Sequence, residues 1–187
     1  MRYPAHETAE RHQKILDQAS HLFRARGIAG ASIGDVMKAA GLTHGAFYAH
    51  FESKEALACA SLDQAMEQMH ETVRRMATTG EGSIEKFLSH YLSKDHRDHP
   101  EAGCAMAALA VDIAREPALQ PSFTTRLKSM LTTFAQSLPW KLGRPKQRQA
   151  ICFTAAIVGA MVLSRAVDDP EFSELILSSV QDELLDR

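Results

Sequence analysis

The stretch Ser32–Leu57, SIGDVMKAAGLTHGAFYAHFESKEAL, restricts the fold more than any other part of the chain. Ile33, Val36, Met37 and Ala40 recur at helical spacing and make one apolar face. Ala46, Phe47 and Phe51 make a second such face after a tight break at Gly41-Leu42. Ser32 is placed to cap the first segment, with Asp35 three residues on as a short-armed capping box, and Thr43 to cap the second. Gly41 supplies the backbone freedom that a helix C-terminus asks for. Two helices of about two turns joined by a short glycine-containing turn form a helix-turn-helix. The second carries Thr43, His44, Gly45 and Tyr48 away from its apolar side, a face suited to the major groove of DNA.

Across these residues the chain resembles the DNA-binding domain of the TetR-type (tetracycline-repressor-like) regulators. The resemblance is carried by Ser32, Ala39-Ala40-Gly41, Thr43, Gly45-Ala46, Phe47, Tyr48, His50-Phe51 and Ser53-Lys54-Glu55. Ile28 and Ala31 depart from the pattern, which usually has an aromatic and often a threonine there. The likeness is strong over roughly the first 60 residues; beyond them it is one of architecture. It implies a regulator bound to double-stranded operator DNA, a homodimer joined through a four-helix bundle, and a small-molecule effector that releases the repressor. Thr43, His44 and Gly45 would meet bases, with Ser32, Tyr48, His50 and Lys54 on phosphates.

Charge patterning agrees. Met1–Lys54 carries seven Lys and Arg against five Asp and Glu, whereas the remainder is net acidic, and five of the nine histidines fall in the first part. Apolar content of 45% and charged content of 24% suit a globular chain, and no strand-like alternation occurs. Cys59, Cys104 and Cys152 are odd in number and far apart, which fits a reducing cytoplasm. Arg2–Arg11 lacks the apolar core of a signal peptide, and the longest uncharged run, Ala150–Ser164, falls short of a bilayer span of about 20 residues. The expectation is a cytoplasmic protein with no membrane partner.

The fold class read from the pattern is all-α, about nine helices in two domains. Residues 1–53 hold the three-helix reader, and residues 54–187 form a helical effector-binding and dimerisation domain. Met1–Glu7 is a polar arm containing Arg2 and Tyr3. A helix from Thr8 to Arg26, closed by Arg24 and Arg26 and stopped by Gly27, braces the reader. Ser53 caps a long helix to about Ala77, and a break at Thr78–Gly82 precedes a helix over Ser83–Lys94. The segment KDHRDHPEAG is read as a loop, followed by helices over Cys104–Arg115, around Phe123–Leu138, over Lys146–Val167 and over Pro170–Leu185. Trp140 is expected to anchor the connection before the penultimate helix.

That penultimate helix is apolar around its whole circumference, so it must be covered on every side. Ala155, Ala156, Gly159, Ala160 and Leu163, with Phe172, Leu175 and Ile176 of the last helix, are the candidate dimer interface. The candidate effector pocket is Met66, Met69, Phe87, Tyr91, Cys104, Met106, Phe123, Met130, Phe134 and Phe153, a lining suited to a hydrophobic or electrophilic effector. Cys104 stands where a helix begins, which favours the thiolate. It resembles the position used by members of the family that sense oxidants or electrophiles, though a buried Cys also serves as packing.

Two rival readings have a basis in the residues. His90, Asp95, His96, Asp98 and His99 are the one cluster of metal-ligand types and would support a metal-binding helical enzyme. No H-E-x-x-H, nucleophile elbow or P-loop accompanies them, so the reading carries no enzyme, metal or cofactor. An effector-binding protein without operator binding is the other alternative.

Overall fold

The computed structural model describes residues 5–79, 84–138 and 140–186; Arg2 and Tyr3 lie outside them. Within these the chain is helical throughout, with no strand: nine α-helices and one 3-10 helix. In order they are α1 (Ala5–Gly30), α2 (Ile33–Ala39), the 3-10 helix (His44–Ala49), α3 (Lys54–Thr79) and α4 (Ile84–Tyr91). They continue as α5 (Lys94–Asp98), α6 (Ala105–Arg115), α7 (Gln120–Ser137), α8 (Lys146–Ala166) and α9 (Pro170–Leu185).

The helix α1 starts three residues before the expected Thr8, and its last turn is separated by Gly27 at φ 75°, ψ 162°. Only glycine occupies that region cheaply. Ser32 then closes the capping box: its Oγ accepts from Asp35 N at 3.1 Å, and Ser32 N donates to Asp35 Oδ2 at 2.9 Å. These bonds hold the Asp35 carboxyl below its ordinary range. Gly41, at φ 69°, turns the chain out of α2.

Three sequence readings are corrected here. The second helix of the reader has six residues in 3-10 geometry, with Ala46 N bonded to Thr43 O and His50 N to Phe47 O. Thr43 occupies its N-cap position without a side-chain cap bond. The segment after α4 is no plain loop: α4 ends at Tyr91, and Ser93 Oγ accepts from His96 N to start the short α5. The break expected at Thr78–Gly82 falls mostly outside the described residues. Other caps follow the sequence, with Ser53 Oγ accepting from Ala56 N and Asp169 Oδ1 accepting from Glu171 N and Phe172 N.

Packing follows from the apolar faces. Ile15, Ala19 and Phe23 of α1 bury against α3, α2 and α6 and continue into Val36, Met37 and Phe47 of the reader. In the C-terminal part α3 lies along α7, α7 along α8 and α8 along α9. Phe87, Phe134 and Phe153 meet at ring separations of 5.4 to 6.3 Å, and Trp140 closes the cluster, its ring 5.9 Å from Phe153 and its Nε1 donating to Phe134 O. Each such ring contributes roughly 2–3 kcal/mol on burial. A polar seam joins α3 to α7 at the surface, where Arg126 holds both Asp63 and Glu67.

The helix α8 is long and apolar enough, by length and composition alone, to cross a bilayer. Its inner face, Ala150, Phe153, Thr154, Ile157, Ala160, Met161 and Ser164, is packed within the bundle. Its other face leaves Ile151, Val162 and Leu163 exposed.

Gly27 tests this account of the α1 bend. A Cβ there would approach Asp112 Oδ2 to 2.9 Å, on top of the backbone strain. Gly27→Ala should lower stability by about 1–3 kcal/mol in chemical denaturation; an unchanged midpoint would mean that the bend carries no strain.

Candidate nucleic-acid interface and internal cavity

The outward side of the 3-10 helix is built from Thr43, His44, Gly45 and Tyr48, all exposed, with Tyr48 at 64%. Phe47, fully buried, pins the helix from behind. The His44 and Tyr48 rings stand edge to face at 6.5 Å, and Tyr48 packs edge-on against Phe47 at 5.2 Å. Ser32 is exposed at the start of α2, and Lys54 is half-buried at the start of α3 beside Ile28 and Asp112. His50 is half-buried near His12, whose ring stacks on Phe51 at 4.5 Å. Burial, then His12 and Arg11, push the His50 pKa below its ordinary value. Lys14, exposed on α1, reaches to 3.7 Å from the position of a Cβ at Gly41 and adds charge beside the turn. Its partnership with Gly41 exists only in three dimensions, and the sequence reading missed it.

Between α1, α3, α4 and the start of α6 lies a cavity of about 350 Å³. Met69, Phe87, Tyr91 and Cys104 line it as expected from the sequence. Met66, Met106, Phe123, Met130, Phe134 and Phe153 do not. Phe134 and Phe153 complete the aromatic cluster, Met66, Met106 and Met130 are almost wholly buried in the core, and Phe123 packs at its margin. Apart from Ala65, Ala102 and Gly103, the remaining lining is polar, with Arg24, Gln68, Thr72, Lys86, His90 and His96. Arg24 was read as a charge at a helix end; instead its Nε donates to Ser20 O and its Nη1 to Gly103 O at 2.7 Å.

The rim at α6 depends on His96. Its Nδ1 lies 2.5 Å from Tyr91 O, which only accepts, so Nδ1 carries the proton. Its Nε2 accepts from Cys104 N at 2.9 Å, so the ring is the neutral tautomer. Burial lowers its pKa, and Arg165 and His90 add to the effect, against the raising influence of the Tyr91 carbonyl and Asp95. Gly103 lets the ring approach: a Cβ there would lie 2.6 Å from His96 Cδ2 and Nε2. Cys104 is the N-cap of α6 and only 2% exposed.

Four of the five residues considered as metal ligands have other partners, and two of these, Asp95 and His99, face each other at 3.7 Å. His96 serves the α6 rim, Asp98 pairs with Arg97, and His99 faces Glu101 and Asp95. Among the described residues no group of three His, Cys, Asp or Glu converges as a metal site. Of the dimer candidates, Ala155, Leu163, Phe172 and Leu175 are exposed, Ala156, Gly159 and Ile176 half-buried, and Ala160 is buried within its own chain. Ala160 is thus corrected to core, because it shares the inner face of α8 with Ile157 and Met161.

An exposed short helix on a helix-turn-helix is followed by an all-helical body that holds the cavity. Residues 15–60 match the family model described as bacterial regulatory proteins, tetR family. The HTH-type transcriptional regulator AcrR of Shigella flexneri is 47% identical over 51 residues, covering 27% of this chain and 24% of AcrR. The HTH-type transcriptional repressor NemR of Escherichia coli K12 is 25% identical over 115 residues, 62% of this chain and 56% of NemR. The crystal structure of E. coli NemR in its reduced form superposes with a TM-score of 0.76 at 20% identity, covering 92% of this chain and 96% of that one. The likeness to the tetR family model thus covers residues 15–60, and over nearly its whole length the chain shares the fold of reduced E. coli NemR and of a solved TetR-family regulator from Cytophaga hutchinsonii. The chain spans between a quarter and just over half of the length of these curated relatives.

His96 gives a pH test. Its folded pKa lies below the ordinary 6.5, so the unfolded chain binds more protons as pH falls through 6.5. Stability contributed by the neutral ring is complete above that value and declines below it. His96→Gln, which keeps an acceptor for Cys104 N, should flatten this limb in thermal melts between pH 7.5 and about 5; an unaltered profile would assign the limb to other histidines.

Proposed function

We propose that the chain is a sequence-specific DNA-binding transcriptional regulator, a cytoplasmic homodimeric repressor released from its operator by a small hydrophobic or electrophilic effector. The single observation that carries this reading is the exposed Thr43–Tyr48 face, held rigid by buried Phe47 within a tetR-family domain. The relatives named as regulators and as a repressor support it. Residues 1–53 are the reading domain and residues 54–187 the effector and dimerisation domain, the division falling where α3 begins.

In this reading Thr43, His44 and Gly45 meet base edges, while Ser32, Tyr48, His50 and Lys54 hold the backbone. His44→Ala should cost about 1–3 kcal/mol at one base position. Lys54→Ala should weaken every sequence alike and reduce the salt slope by about one. A mobility shift on the DNA upstream of the chain's own gene measures both. Sequence preference left intact by His44→Ala would put a different element in the groove.

The partner face is the outward side of α8 and α9, where Leu163, Phe172 and Leu175 are 57%, 49% and 56% exposed. Large apolar side chains side by side on two packed helices favour a second copy as cover. Gly159 lies on this face, and a Cβ there would meet nothing within 4 Å of its own chain. Gly159→Trp should therefore fold as the native chain does and dissociate the dimer. Operator affinity should collapse with it, since each half-site alone offers too few contacts. Sedimentation of the unaltered protein as a monomer at micromolar concentration would refute the interface.

Cys104 is the group through which an electrophile would act, standing at the N-terminus of α6 and on the cavity wall. Its modification would force bulk between α6 and Tyr91, and Cys104→Ser would abolish that response while retaining DNA binding.

A further inference from the structure

The first backbone N–H of the α6 start is held by a titratable side chain. His96 Nε2 accepts from Cys104 N while Nδ1 donates to Tyr91 O, so the neutral ring has both nitrogens committed. A proton added at Nε2 turns that acceptor into a donor facing a donor, and the Cys104 bond is lost. What the bond closes is also plain. Cys104 is the N-cap of α6, its thiol borders the cavity, and the residue is only 2% exposed. Gly103, just before it, is tied to α1 through Arg24 Nη1.

The groups around the ring keep it neutral. From α8, Arg165 donates to His96 O and Arg97 O, which brings a fixed positive charge beside it. From α4, the His90 ring lies parallel at 6.5 Å, and Tyr91 stands edge-on at 4.7 Å. Arg24 of α1 borders the same cavity, and Glu101, between α5 and α6, acts on Arg24 and Arg165. Asp95, on α5 itself, favours the charged ring, but its side chain is 84% exposed. Burial, then Arg165 and His90, outweigh Tyr91 O and Asp95 and hold the ring below its ordinary pKa.

We propose that His96 is an acid-operated latch: protonation of its Nε2 releases Cys104 N, frees the start of α6 and opens the Cys104 thiol to the cavity. One proton is taken up and one hydrogen bond is given up. The regulatory meaning of the latch rests on reading residues 54–187 as an effector domain, and it makes acid a condition for fast reaction at Cys104. The sign follows from linkage. The latched form binds one proton fewer than the open one, so it is fully populated above the ordinary 6.5 and is lost as pH falls below it. Local opening of one helix start, without global unfolding, is the scale of motion required.

The probe is 2,2′-dipyridyl disulfide, which reacts with thiols in acid as well as at neutral pH. It is applied to the full-length protein and followed by mass spectrometry. The labelling rate of Cys104 is divided by its rate in the urea-unfolded chain at the same pH, which removes the intrinsic chemistry of the thiol. In the unaltered protein this ratio should rise by about tenfold between pH 7.5 and 5.5. In His96→Gln, which keeps an acceptor for Cys104 N but takes up no proton, the ratio should stay flat. A Cβ at Gly103 would lie 2.6 Å from His96 Cδ2 and Nε2, so Gly103→Ala should displace the ring and give the acid-like rate already at pH 7.5. A flat ratio in the unaltered protein would overturn the latch, as would an equal rise in His96→Gln or slow labelling of Gly103→Ala. A rise that tracks loss of helix by circular dichroism would overturn it too. Should His96→Gln fail to fold, the unaltered profile and Gly103→Ala still decide. A parallel mobility shift separates the two readings. Operator binding with a flat labelling ratio would sink the latch and leave the regulator, and acid-gated labelling without operator binding at any pH would do the reverse.

Discussion

The arrangement depends on two hydrogen bonds between α1 and α6. Asp112 Oδ2 accepts from Ile28 N at 2.8 Å, and Gly103 O accepts from Arg24 Nη1 at 2.7 Å. Gly27 stands between the two α1 partners in a conformation open to glycine alone, and the bend it makes presents Ile28 N to Asp112. Since α1 also carries Ile15, Ala19 and Phe23 beneath the reader, the position of the reading face is set by what α6 does. Apolar packing alone would allow α1 to slide, whereas these directional bonds fix its register.

The same seam gives the cavity a route to the proposed reading face. The rim of the cavity is the start of α6, where His96 holds Cys104 N and Arg24 holds Gly103 O. A ligand that redirects Arg24, or a modification that displaces the start of α6, acts on a contact already shared with the reading domain. A tenfold change in operator affinity requires only about 1.4 kcal/mol of coupling. One hydrogen bond to a charged group is worth about 1.5–3 kcal/mol, so exchanging a single such bond is enough. No long relay needs to be invoked.

Much of this was legible in the sequence, and the limits have a physical cause. The Ser32–Asp35 box and the Asp169-Pro170 start were local chemistry that no distant contact altered, whereas the inner face of α9 is Ser173, Leu177 and Leu184 rather than the Phe172–Leu175 side. The 3-10 form of His44–Ala49 was not legible, because six residues cannot distinguish period 3.0 from 3.6. The short α5 was hidden by a charged composition typical of loops, its cap at Ser93 being the one available signal. The cavity was half visible. Met and Phe stripes mark burial, but only the packing of α1 against α3 and α6 shows which buried side chains border empty space. Arg24, read as a helix-closing charge, and His96, read within a cluster of metal-ligand types, border the cavity, whereas Phe134 and Phe153 are solid core.

Four glycines divide by where their requirement lies. A side chain at Gly27 would be strained and would strike Asp112, and one at Gly103 would strike His96, so both are demanded from within the chain. Gly45 and Gly159 have ordinary helical or turn backbone, and a Cβ at either would meet nothing within 4 Å. Inside a helix glycine costs about 1 kcal/mol relative to alanine. The chain's own stability would therefore favour alanine at both places. What profits from a bare backbone there must lie outside the chain, and the two positions sit on the two faces proposed for intermolecular contact. Gly45 is flanked by His44 and Tyr48 on the reading helix, where backbone can approach a base edge. Gly159 lies with Ala155, Ala156 and Leu163 on α8, where two helices can approach closely. Bare backbone at both positions is compatible with the proposed DNA contact at Gly45 and the proposed helix contact at Gly159.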